Sequence, residues 1–184
     1  ALVEAVAAQG LQLEMGGETI RLPLAASADP AVVAGADLVL FCVKSGDTEV
    51  AGRQIAPHLA PGAVLTDVGS TKGSVVRDLS PLLPAGVHLV PAHPMAGTEH
   101  SGPDSGFAEL FNNRWCIVTP PADADPAQVA RLVAFWEALG ARVETMDADH
   151  HDLVLAVTSH LPHLIAYTIV GTASDLEEVT QSEV

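Results

Sequence analysis

The chain has 184 residues, of which 23 are acidic and 8 are Lys or Arg, and its formal net charge of -15 repels polyanions over the whole surface. That balance sets nucleic acid aside as a partner. Hydrophobic residues make up 48% of the chain, in short runs split by Gly, Pro and Asp, so a packed core is expected rather than disorder. No apolar run reads as reaching the roughly 20 residues of a bilayer span, and the opening ALVEAVAAQG lacks a signal peptide's charged start and cleavage site. A membrane partner is therefore not expected, and a cytoplasmic location follows by default.

Residues 1–9 read as a helix stopped by Gly10, and LQLEMGGETIRLPL as a hairpin about a Gly-Gly turn. Ala36 to Val43, ADLVLFCV, reads as a strand buried on both faces. DTEVAGRQIAPHL is a helix closed by Pro61 and Gly62, AVLTDVG a strand, KGSVVRDLSPLL a helix and VHLVPAHP a strand. This alternation predicts an α/β fold with a parallel sheet and right-handed crossovers, where ligands bind beyond the carboxyl ends of the strands. Those ends are VKSGD, DVGSTKG and PAHPMAGTE. RWCIVTPP adds a strand, DPAQVARLVAFWEALG a helix with Asp125 as N-cap and Gly140 as stop, and ARVETMD a last strand. From Asp147 a long apolar helical stretch begins, interrupted by Pro162, so a first domain is expected over 1–149 and the start of a second over 150–184.

Three features set limits on the chemistry. Cys42 and Cys116 sit in apolar runs, as small hydrophobes do. DADHHD offers His150, His151 and Asp152 to a metal, but Asp at a helix start and neighbours on different faces argue for a plain helix N-terminus, and no metal site is expected. A dinucleotide-binding sheet normally opens with a strand running into G-x-G-x-x-G. This chain has no such motif, and the expectation is that it starts after the first βα unit.

DVGSTKG (Asp67 to Gly73), HPMAGTEHSGP (His93 to Pro103), LFNNRWCIVTP, LGARVETMDADHHD and SHLPHLIAY (Ser159 to Tyr167) together resemble the prephenate and arogenate dehydrogenases of tyrosine biosynthesis. The resemblance covers residues from about 60 to 184. It implies a Rossmann-like domain lacking its first βα unit, followed by the start of an α-helical dimerisation domain. The implied reaction is oxidative decarboxylation of prephenate or arogenate, small-molecule substrates, with NAD or NADP as cofactor. The first 60 residues look more like ketopantoate reductases, which carry a Val-Lys at the strand end occupied here by Val43 and Lys44. The chain thus reads as a composite, with a ketopantoate-reductase-like oxidoreductase or a non-catalytic remnant as the alternatives.

His93, at a strand end before Pro94 and Gly97, can accept a hydroxyl proton as hydride leaves; spacing alone would equally make it a turn cap. The resemblance implies that it hydrogen-bonds the substrate's ring hydroxyl. Ser70 is implied to orient His93 and touch the nicotinamide, unless it simply caps the helix beginning near Lys72. Lys72 reads as a solvated first-turn charge. His160 and His163, three apart, with Ser159, can hold carboxylates, although histidines on an apolar helix also occur as core residues. The family pattern assigns His163 to substrate, and Glu99 to gating or bridging the domains, where a plain exposed carboxylate is the alternative. The cofactor is expected against Val43, Lys44, Asp67, Gly69 and Ser70. The apolar helix from Leu153 to Val170 would expose a large patch unless paired, so a homodimer is expected.

Overall fold

A computed structural model describes residues 2–15, 17–97, 102 and 105–180. Helix α1 (Leu2–Gln9) stops at Gly10, whose φ of 73° suits a residue without a Cβ. Strands β1 (Leu11–Met15) and β2 (Glu18–Leu22) then form an antiparallel hairpin. Their described side chains are exposed, so the hairpin stands outside the core.

The body begins with β3 (Leu38–Phe41), α2 (Thr48–Ile55), β4 (Val64–Asp67), α3 (Gly73–Leu79) and β5 (His88–Leu89). Strands β3, β4 and β5 pair in parallel in that order. Strand β3 is shorter than the run Ala36 to Val43 and lies at the edge, with Leu40 and Val43 exposed, which corrects the expectation of burial on both faces.

A second ladder joins β6 (Ala92–Pro94), β7 (Trp115–Val118) and, after helix α4 (Pro126–Ala138), β8 (Arg142–Thr145). β7 runs antiparallel to β6 and parallel to β8. The expected single strand over 87–94 is therefore two short ones, divided at Pro91, which has no N–H to give a ladder. The segment still links both ladders: Val90 N donates to Leu65 O at 2.9 Å, and Thr119 N donates to Pro91 O at 2.9 Å.

Alternation sends neighbouring residues to opposite faces of the sheet. Val64 and Val90 join Ala92, Cys116, Val118, Leu132 and Trp136 in one apolar cluster, while Leu65 and Leu89 join Phe41, Val75 and Leu79 in the other. Helix α4 closes the first, with the Trp136 ring edge-on to Phe111 and Phe135 at centroid distances of 5.4 and 5.3 Å. Its first turn is capped by Asp125 Oδ1, which accepts from Ala127 N at 2.8 Å.

Helix α5 (Ala148–Leu155) is capped by Asp147, whose Oδ1 accepts from His150 N at 2.7 Å. A π turn over Ala156–His160 leads into α6 (Leu161–Thr180). Pro162 falls in the turn after the π segment, and the helix runs on through it, as the face shared by His160 and His163 requires. The sequence reading that no apolar run is long enough for a membrane is corrected here. The uninterrupted helix Ala148–Leu176 has that length and composition, because Pro162 does not break it.

Candidate active site

Asp67 ends β4 in an apolar core and needs a partner, since a buried carboxylate without one is costly. Lys72, fully buried at 0% exposure, supplies it: Nζ donates to Asp67 Oδ2 at 2.5 Å and to Ala92 O at 2.7 Å. The reading of Lys72 as a solvated charge is thereby corrected. Burial pushes the Asp67 carboxyl up and the Lys72 ammonium down, and each partner offsets part of the other's shift. Gly69 N donates to Asp67 Oδ2 at 2.8 Å, which shapes the turn carrying Ser70. A Cβ on Gly69 would stand 3.0 Å from that oxygen.

The backbone of Lys72 faces the other way. Lys72 N and Gly73 N, the first donors of α3, give to Asp152 Oδ1 and Oδ2 at 2.8 and 2.9 Å. A carboxylate from α5, some eighty residues on, thus caps α3. Burial pushes the Asp152 carboxyl up, but those two donors and His151 outweigh it and hold it below the usual range.

His151 is fully buried and sits between two partners. Its Nδ1 lies 2.8 Å from Asp152 Oδ1, and its Nε2 lies 2.9 Å from His93 Nδ1. His93 follows Ala92 in β6, so a ring of contacts closes: the Lys72 side chain reaches Ala92 O, and the Lys72 backbone reaches His93 through Asp152 and His151. At 9% exposure, His93 is held at a pKa of about 4 by burial first, then by His151, Lys72 and His160, against the opposing pull of Asp152. The imidazole is therefore neutral at pH 7.

The other expected residues are placed unevenly. Ser70 is exposed and makes no hydrogen bond among the described residues; the ring nitrogen of His93 is held by His151 instead. Nor does Ser70 cap α3, a place taken by Asp152. His160 comes within electrostatic reach of His93, and His163 lies almost a turn further along the same helix, both with exposed side chains, while Ser159 is half-buried. Val43 and Lys44 are exposed just past β3. Glu99 lies outside the described residues.

His151, Asp152 and Lys72 are the partners of the His93 and Asp67 side chains that sequence reasoning missed. A signal existed for Lys72, since an Asp closing an apolar strand calls for a cation nearby. None existed for His151, whose partner is 58 positions away.

The exposed carboxyl ends of the adjacent parallel strands β3 and β4 present Val43, Lys44, Gly69 and Ser70 together, which fits the nicotinamide end of a dinucleotide at a strand-end crevice. The N-terminus of α3 offers no pyrophosphate cradle, because Asp152 already occupies its first donors.

Residues 14–145 match the family model of the prephenate dehydrogenase nucleotide-binding domain, and residues 147–184 that of the prephenate dehydrogenase dimerisation domain. The cyclohexadienyl dehydrogenase of Zymomonas mobilis is 44% identical over 149 residues, covering 81% of this chain and 50% of that protein. The crystal structure of Aquifex aeolicus prephenate dehydrogenase with hydroxyphenyl propionate and NAD+ is 33% identical at a TM-score of 0.70, over 76% of this chain and 48% of that one. Synechocystis arogenate dehydrogenase is 28% identical at a TM-score of 0.73, over 85% and 57%. A ketopantoate reductase of Ralstonia eutropha also matches, 33% identical at a TM-score of 0.56 over 79% and 45%. The nucleotide-binding family model nevertheless runs unbroken across residue 60, where the resemblance had changed. The chain spans about half the length of the relatives named here.

Proposed function

Since this chain belongs to the prephenate dehydrogenase family, we propose that it serves the NAD(P)-dependent oxidative decarboxylation of prephenate or arogenate in tyrosine biosynthesis. In this reading a bound nicotinamide would supply the hydride acceptor for the ring carbon that carries the hydroxyl. The hydroxyl proton passes to His93, the ring carboxylate leaves as carbon dioxide, and aromatisation drives the reaction. The observation that carries the proposal is His93 itself: neutral, held through Nδ1 by His151, and making no hydrogen bond through Nε2 among the described residues. A neutral imidazole with one nitrogen held and the other available is the form that takes up a proton.

Around it, Ser70, Gly69, Asp67, Val43 and Lys44 would flank the nicotinamide. Asp67 acts through the turn it fixes, since its carboxylate is engaged by Lys72 and Gly69. Ser159, His160, His163 and Glu99 would hold or gate the dianionic substrate. Residues 1–149 would form the dinucleotide-binding body and 150–184 the start of a helical dimerisation and substrate domain, with the exposed apolar face of α6 buried in a homodimer. A cytoplasmic enzyme with neither nucleic acid nor membrane as partner completes the reading.

The test is reduction of NAD and of NADP, each with prephenate and with arogenate, in the wild type and in His93→Ala. Turnover with one substrate and its loss by about 10²- to 10⁴-fold in the variant is the expected result. Turnover undiminished in His93→Ala would remove His93 from the chemistry. No turnover with any pair would overturn the reading.

A further inference from the structure

We infer that His151 and Asp152 are positioning residues that set the tautomer of His93, leaving its Nε2 as the bare acceptor. The inference deepens the proposed dehydrogenase reading and rests on it for its catalytic meaning. A carboxylate accepts and does not donate, so the contact of 2.8 Å between Asp152 Oδ1 and His151 Nδ1 puts the hydrogen on Nδ1. That hydrogen leaves the fully buried His151 ring its lone pair at Nε2, and the contact of 2.9 Å to His93 Nδ1 then requires that nitrogen to donate. One hydrogen remains for the neutral His93 ring and it is used at Nδ1, so Nε2 is the acceptor.

Three observations make this a built arrangement rather than a chance contact. His151 is completely buried, so no water competes for either nitrogen. Asp152 is anchored at both oxygens by the first two donors of α3, so its direction does not depend on the histidines. The charged and titratable groups that act on His93 come from three places. They are Lys72 after β4, His151 and Asp152 in α5, and His160 in the π turn. Of these, only His151 touches the His93 ring by hydrogen bond among the described residues. The π turn immediately follows α5, so the helix that sets the tautomer also carries the expected substrate-binding face.

Without the pair, an imidazole distributes its hydrogen between both nitrogens and turns about its side-chain torsions. The fraction with a bare Nε2 correctly aimed would fall, and with it the rate of proton acceptance, while substrate contacts made elsewhere would persist. Loss of His151 should therefore act on kcat more than on KM.

The direct test is long-range proton–nitrogen NMR of the ¹⁵N-labelled protein at neutral pH, with the His93 signals assigned by their disappearance in His93→Gln. The expected wild-type spectrum has the hydrogen on Nδ1 of both His93 and His151. His151→Leu should return His93 to a mixture of tautomers, and His151→Gln, whose amide oxygen still accepts, should restore the Nδ1–H form. In turnover, His151→Leu should lower kcat by about 10- to 100-fold with KM within about twofold, and His151→Gln should recover most of it. A wild-type His93 carrying its hydrogen on Nε2 overturns the inference, and so does an unchanged tautomer or kcat in a folded His151→Leu. The wild-type spectrum needs neither a substrate nor a stable variant. A failed dehydrogenase reading with the expected tautomer is thus distinguishable from the reverse.

Discussion

Helices α4 and α6 are both rich in apolar side chains, yet they end in opposite situations. In α4, Leu132 and Trp136 are buried against the sheet, whereas in α6, Leu164, Ile165, Ile169 and Val170 are each more than half exposed. The difference lies in what surrounds each helix rather than in its composition. α4 connects two strands of one ladder and must fold back onto them, while α6 extends from α5 with its described apolar side chains exposed. The proposed active site lies at the root of this divergence, where α5 still touches the body through Asp152 and His151. A closed body holds the proposed base, and an open arm would bring the substrate groups.

The largest expected effect tests that division directly. Leu132→Ala should destabilise the body by about 3 kcal/mol, from lost burial and the cavity left behind. Ile169→Ala should change unfolding by less than about 0.5 kcal/mol, as exposed positions do. Urea denaturation of both variants at low protein concentration measures the contrast. A concentration-dependent loss in Ile169→Ala would show that the arm is covered in solution by another copy.

A second test uses acid. His93 titrates at about 4 in the folded chain against an ordinary value of 6.5, so the unfolded state takes up its proton first as pH falls. Stability should decline from about pH 6.5 to pH 4 and level off below that for this group, by about 3 kcal/mol in all. Asp152, held low, contributes stability that is present above its unfolded value and lost as pH falls further through its folded one. Denaturation at stepped pH should show the upper slope in the wild type and not in His93→Gln. The acid limb of kcat/KM should likewise lie below the ordinary imidazole range.

Much of this organisation was legible. The strand and helix order up to Asp147 followed from short apolar runs punctuated by Gly and Pro, and His93 stood out because it ends one such run. What stayed hidden was long-range pairing. HHD at a helix start gives no hint that one histidine turns inward to meet a β-strand, and KG after a strand looks like a solvated turn until Asp67 and Ala92 O are seen to need Lys72. The split at Pro91 was also missed, because an apolar run carries no mark of which neighbour its two halves will pair with.

The smallest effect separates the two helices most finely. Asp125 and Asp147 each cap a first turn, α4 through Ala127 N and α5 through His150 N. Replacing either by Ala should cost about 1 kcal/mol of helix stability. In Asp125→Ala that loss is shared by the whole cooperative body, and the thermal midpoint should fall with little change in kcat. Asp147→Ala frees instead the turn that carries His151 and Asp152, two elements of the ring around His93. Its midpoint should fall less than that of Asp125→Ala, while kcat falls more. If both variants lose midpoint and rate in the same proportion, α5 belongs energetically to the body, and the division between closed body and open arm begins only at the π turn.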